Sequence, residues 1–209
     1  MKEPKQKNCI ECGKLFNQYN SLVRVCSTDC AIKVAKVKVK KEVSKQWKKE
    51  KKEIKEKLMT KSDYEKLLQK EINTIVRLID KDFICISTQK PLNYKFDAGH
   101  FYSVGSNPSL RFNLLNIYAQ SVYANQYLSG DQINFINGIE ENYGSGLKSI
   151  VLRLKKDYPI LKLTQEELKE KITIARSIVK HLKLENKTYN SVQRIELRRK
   201  FNKMIGIYE

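Results

Sequence analysis

The chain has 209 residues, 41% of them hydrophobic and 31% charged, which suffices for one ordinary domain or two small units and excludes a membrane protein or a collagen-like rod. No stretch approaches the roughly 18 consecutive apolar residues of a spanning helix, and the opening MKEPKQKNC has no apolar signal-peptide core, so the cytoplasm is the expected location. The 41 Lys and Arg against 23 Asp and Glu leave a net charge of +18; nucleic acid is the favoured partner, and no membrane is expected because the basic stretch has no face of Trp, Phe and Leu to insert.

Residues 1–32 hold four of the five cysteines and read as one module. Cys9 and Cys12 form CxxC, and Cys26 and Cys30 form CxxxC after an interval of thirteen residues. Two close pairs of thiols suit a closed tetrahedral zinc site, with Gly13 easing the first turn. With all four positions taken by sulfur, the zinc is expected to be structural. The odd cysteine count and a reducing compartment argue against a disulfide framework.

Residues 33–80 read as a basic helical linker and a second helix. Thirteen Lys and four Glu fall in residues 33–61, half of the whole positive excess. Ile32, Ala35, Val39, Val43, Trp47, Ile54 and Leu58 recur at helical spacing as one narrow apolar seam. The segment is either a solvated spacer or a helix whose lysines, among them Lys45, Lys48, Lys49 and Lys52, lie along DNA phosphates. Ser62 and Glu65 read as a capping box that starts the second helix at Asp63, with Tyr64, Leu67, Leu68, Ile72, Ile75, Val76 and Ile79 as its core stripe.

Within residues 81–146 the period changes. Short apolar runs broken by Pro91, Gly99, Gly105 and Pro108 predict a compact β element over 83–116, and helical spacing returns over 117–128 and 131–143. The C-terminal region, 147–209, is helical in pattern, with a capping box at Thr164 and Glu167 and a last helix near 191–204. There Arg198 and Arg199 are candidate phosphate contacts. His181 has no ligand-spaced partner and reads as an ordinary surface or core histidine.

The segment FDAGHF (96–101) puts a carboxylate and an imidazole on one strand. Leu110-Arg111-Phe112 reads as a second strand, with Asn116 at its end and Asn125 in the following helix, a ββα order. Phosphodiester hydrolysis needs a base, an orienting group and a divalent cation, and these residue types can supply them. Arg111 is either an exposed strand charge or a contact to the scissile phosphate.

The segments DAGHF, LRFN, NIYAQ and ANQYLSG, with the cysteine module and the lysine-rich helix, resemble the phage NinG/Rap recombination proteins, a branch of the HNH nucleases. The resemblance covers roughly residues 7–135. It implies a metal-dependent endonuclease acting on branched recombination intermediates such as D-loops and Holliday junctions. On that footing His100 is the general base, Asn116 orients it through its amide, and Asp97 and Asn125 are ligands for Mg²⁺ or Mn²⁺; His100 as a metal ligand is the other assignment. Relatives often hold a further structural zinc with two CxxC pairs, where this chain has Cys85, Thr88, Ser121 and Ala124.

The expected architecture is therefore α+β and mainly helical: an N-terminal zinc-binding module, a long basic helix and a small ββα-metal, HNH-like core. Branched DNA is the expected partner, beside host or phage recombination proteins. A homodimer fits the two cuts a junction needs, although no residue marks it. The alternative is a non-catalytic DNA-binding accessory protein with a degenerate HNH fold. A sequence-specific restriction or homing enzyme is disfavoured, because no separate recognition domain is evident.

Overall fold

A hairpin opens the described part of the chain, residues 5–208 of the computed structural model. Strand β1 (Lys5–Asn8) pairs antiparallel with β2 (Leu15–Gln18), from Lys5 opposite Gln18 to Asn8 opposite Leu15. Gly13, at φ +76°, turns the chain where Cys9 O accepts its N–H, a conformation that costs glycine little. Helix α1 (Thr28–Leu58) follows, capped by the Ser27 hydroxyl on Cys30 N–H. Asp29 in its first turn and Lys55 and Lys57 in its last complement the helix dipole. Cys30 thus lies inside α1, and the expected border at residue 32 falls within the helix. The apolar seam is uncovered, with Val43, Trp47 and Leu58 at 62%, 64% and 74% exposure. Helix-forming residues, the end caps and opposite-charge pairs such as Lys49 with Glu53, 3.9 Å apart, hold this helix together, not burial.

The chain divides after Met59 into two units. The second begins with α2 (Lys61–Ile79), whose reciprocal cap is Thr60 with Asp63. The expected pair, Ser62 with Glu65, sits two residues too late. The earlier pair wins because Asp63 reaches back to Thr60 N–H at 2.9 Å, and Glu65 is left for another partner. The loop after α2 makes one bridge, Ile84 to Pro91. Then β3 (Phe96–His100) pairs antiparallel with β4 (Ile117–Ser121), Asp97 opposite Gln120 and His100 opposite Ile117.

The second strand is therefore residues 117–121 and not 110–112. Pro108–Leu110 and Leu114–Asn116 are single 3-10 turns, since Pro108 fits a first helical position and the Asn113 side chain caps Leu115 N–H. Residues 117–120 are buried on both faces, so they lack the polar alternation that marks a half-exposed strand and read as helix. A short π-helical turn, Tyr123–Tyr127, follows directly.

Four helices complete the unit: α3 (Gln132–Tyr143), α4 (Ser145–Asp157), α5 (Gln165–Glu185) and α6 (Ser191–Ile205). The stripe Leu68, Ile72, Ile75, Val76 and Ile79 of α2 packs on α5, which buries Leu168, Ile172, Ala175, Ile178 and Val179. A second cluster joins Phe101, Leu110, Tyr118, Phe135, Ile139, Leu147 and Val151. Asp80, 1% exposed, ties these layers together: its carboxylate takes Arg198 Nη2 at 2.6 Å and Ala119 N–H at 2.8 Å. The chain is thus α+β and mainly helical; among the described residues there are two small sheets, and no helix is long and apolar enough to cross a membrane.

Candidate functional site

Three polar clusters gather the candidate site residues. The first is in the N-terminal unit, where Cys9 and Cys12 lie at the hairpin tip, Cys26 just before α1 and Cys30 in its first turn. All four sulfurs fall within 4.8 Å of one another, with Cys12 to Cys26 at 3.5 Å and Cys26 to Cys30 at 3.7 Å. Zinc–sulfur bonds of ~2.3 Å give a tetrahedral edge of about 3.8 Å, so the cluster has the dimensions of a zinc–thiolate site. The backbone N–H of Cys12 holds the Cys9 thiol down to about 6, whereas its neighbours in the cluster, Cys12 first, push Cys26 up to about 12. Four thiolates this close repel one another, and a cation is what lets all four ionise. The group can hold a metal such as zinc.

The second and third clusters lie on opposite faces of the β3–β4 ribbon. Alternation along FDAGH sends Asp97 and Gly99 to one face and Ala98 and His100 to the other. On the first face, Asp97 Oδ2 accepts from Asn125 Nδ2 at 2.9 Å and Gln126 Nε2 at 2.8 Å. The π-helical turn makes this possible by presenting consecutive amides to one carboxylate. Gly99 leaves room for Gln120: a Cβ there would stand 2.1 Å from Gln120 Oε1. The Gln120 amide is fixed by Nε2 bonds to Ser87 Oγ and Gly130 O, both 2.7 Å.

On the other face His100 Nε2 lies 3.1 Å from the carbonyl of Arg111. A carbonyl only accepts, so Nε2 carries the proton and Nδ1 the lone pair. Gln69 Nε2, 3.5 Å from the same ring nitrogen, is then a packing contact. Burial pushes the imidazole below its ordinary 6.5 and the Arg111 charge adds to this, while the hydrogen bond to Arg111 O opposes it. His100 is therefore a neutral base at pH 7. Arg111, half-buried, donates to Gln69 Oε1 at 3.3 Å and pairs with Glu65 Oε2 at 3.2 Å.

Asp97 and Asn125 are brought together, whereas His100 lies on the other face of β3 and does not converge with them. Asn116, fully buried, does not orient His100 through its amide. Its Oδ1 accepts Tyr102 N–H at 2.8 Å, and its Nδ2 donates to Tyr102 O and Leu110 O. It clamps the two chain segments that carry His100 and Arg111. The expectation for Arg198 is overturned: it is 0% exposed and spends its guanidinium on Asp80, Leu114 O and Ile117 O. Arg199 beside it is exposed, as are Lys45, Lys48, Lys49 and Lys52, with Lys49 3.9 Å from Glu53.

Glu65, which the sequence offers only as a helix cap, and Gln69 and Gln126, which it does not single out, belong to these clusters. For Gln69 the signal is helical spacing, since Glu65 and Gln69 are four apart on one face of α2; for Gln126 it is adjacency to Asn125. Cys85 is buried, and its sulfur accepts N–H groups from Ser121 at 3.2 Å and Thr88 at 3.4 Å. Burial pushes that thiol up, but these hydrogen bonds outweigh it and hold it below its ordinary value.

The family model for the bacteriophage lambda NinG protein matches residues 1–185. The chain belongs to the NinG family. The NinG protein of Escherichia phage lambda is 30% identical over 151 residues, 65% of this chain and 74% of its own length. That of Salmonella phage P22 is 31% identical over 112 residues, 54% of each chain, and that of Enterobacteria phage H19B is 35% identical over 78 residues, 37% of this chain and 39% of its own. No solved structure matches. The NinG match takes in the cysteine cluster, α1, α2 and both ribbon faces, and ends at the last residue of α5.

Proposed function

We propose that this NinG-family chain is a metal-dependent endonuclease of the HNH type that cuts branched DNA formed during phage recombination. The observation that carries this is one short strand that presents an amide-bound carboxylate, Asp97, on one face and a neutral, partly buried imidazole, His100, on the other, in a chain of net charge +18. With both amides on Asp97 Oδ2, Oδ1 and the Asn125 carbonyl oxygen are the donors that suit Mg²⁺ or Mn²⁺. Held there, such a cation would supply charge stabilisation for the departing oxygen. His100 Nδ1 takes a proton from the attacking water, and Arg111 grips the phosphate once it leaves Glu65. The lysines of α1 and the exposed Arg199 add phosphate contacts that set affinity without reading sequence. The cysteine cluster, loaded with zinc, gives the first unit its fold.

A non-catalytic, branch-binding accessory role is the second reading, favoured by the placement of Asp97 and His100 on opposite faces of β3. Labelled four-way junctions, forks and linear duplexes incubated in Mg²⁺ or Mn²⁺ separate the two. The nuclease reading expects cation-dependent nicks near the branch that His100→Ala removes. Tight junction binding without nicks under either cation selects the accessory role and sinks the enzyme.

A further inference from the structure

The turn that presents Asn125 to Asp97 also carries two aromatic rings that the fold does not bury. Tyr123 and Tyr127 are 63% and 74% exposed, and their rings stack with centroids 6.0 Å apart and planes 22° from parallel. Other aromatics nearby behave differently: Tyr118 and Phe135 are buried and meet edge to face, as rings in a core do. A third ring, Tyr94, is fully exposed. It lies two residues before β3 and Tyr123 two residues after β4. Because Phe96 pairs with Ser121, Tyr94 and Tyr123 leave the ribbon at the same end.

The position of the pair is fixed. Asn125 and Gln126, between the two tyrosines, are both bound to Asp97, so the turn cannot swing away from the strand without breaking two charge-assisted hydrogen bonds. The rings are planar and apolar-faced. The field of the chain recruits a polyanion, and the part of a polynucleotide that a flat ring accepts is the face of a base. In a duplex every base already has its stacking partners; only an unpaired one is free.

We propose that Tyr123 and Tyr127 form a stacking site for an unpaired nucleobase, held beside the Asp97 carboxylate at the point where paired and unpaired strands meet. This rests on the branched-DNA reading above and gives it a recognition element: the protein selects branches because they supply a free base near the cutting site.

The test is binding without added Mg²⁺ or Mn²⁺, using the zinc-loaded full chain, a forked duplex with unpaired thymines at the branch, and a blunt duplex of equal length. Tyr127→Ala and Tyr123→Ala are expected to weaken fork binding roughly tenfold while changing blunt-duplex binding less than about twofold, and Tyr→Phe variants keep both. Replacing the first unpaired thymines with 5-iodouracil and irradiating the wild-type complex is expected to crosslink Tyr123 or Tyr127, a readout that needs no variant. The proposal is overturned if wild-type protein binds fork and blunt duplex equally, if the Ala variants bind forks like wild type or lose both substrates in parallel, or if the crosslink maps elsewhere. Failure of the nuclease reading looks different: fork preference and crosslink persist, and no nick appears when the cation is added.

Discussion

Replacing Arg198 with methionine should destabilise the second unit's core while leaving DNA binding by the folded protein unchanged. The substitution strands the Asp80 carboxylate, 1% exposed, with Ala119 N–H at 2.8 Å and Arg194 Nε at 3.9 Å as its remaining partners. Removing one member of a buried ion pair costs about 3–5 kcal/mol. Arg194 takes up part of the uncompensated charge, which argues for the lower half of that range. The carbonyls of Leu114 and Ile117, which Arg198 now satisfies at 3.2 and 3.4 Å, lose a donor, which pulls the other way. A net loss of about 4 kcal/mol is a large share of the 5–15 kcal/mol that usually holds a domain. Urea unfolding followed by circular dichroism reads it as a lower midpoint at unchanged slope. The double variant Asp80→Leu with Arg198→Met should be less destabilised than Arg198→Met alone, since no charge is left behind. At a urea concentration where both proteins are folded, the salt dependence of DNA binding should match wild type. A fully stable Arg198→Met protein with a flattened salt dependence would falsify the buried role and restore Arg198 as a phosphate contact.

Other outcomes follow from the same geometry. Exchanging Lys45, Lys48, Lys49 and Lys52 for Gln should make the log–log salt slope of DNA binding shallower by up to roughly 3–4 if all four meet phosphates; an unchanged slope makes α1 a spacer. Zinc released by a thiol-modifying reagent should equal one ion per chain, and Cys12→Ser should unravel the hairpin in amide exchange while urea unfolding of the second unit stays as in wild type. Gly99→Ala must displace Gln120 from its two bonds and should cost about 1–3 kcal/mol by overpacking, seen as a lower thermal midpoint. His100 has a folded-state value below the 6.5 of the free imidazole. The unfolded chain therefore binds more protons between those two values, so stability is full above pH 6.5 and falls as pH drops toward the folded value. Nicking should show its rising limb below pH 6.5, and a limb above 7 would remove His100 as the base.

Much of this was legible in the residues. The paired thiols announced a metal-sized cluster because CxxC spacing constrains sulfur positions locally. The stripes of α2 and α5 announced their helices because one face of each is buried. What failed did so where long-range packing decides. Residues 117–120 are buried on both sides, so they carry no alternation and were read as helix. Arg198 has the composition of a DNA contact, and only the fold shows Asp80 across from it. Thr60 and Ser62 are equally good caps in a string of letters, and the choice rests on whether Asp63 or Glu65 turns back. Glu65, once not a cap, becomes the partner of Arg111, a contact spanning forty-six residues that no local pattern encodes. The approach of Asn125 to Asp97 was anticipated from the resemblance, whereas the second amide, Gln126, follows from the π winding of the turn.

On the proposed nuclease reading, the oxygen cluster at Asp97, and not the imidazole face of the same strand, takes the catalytic cation. Titrating Mn²⁺ into the zinc-loaded chain while counting free Mn²⁺ by electron paramagnetic resonance tests it directly. That reading predicts a saturable site in the wild-type protein that survives His100→Ala and disappears in Asp97→Asn. Full Mn²⁺ binding by Asp97→Asn, or its loss in His100→Ala alone, would contradict the assignment.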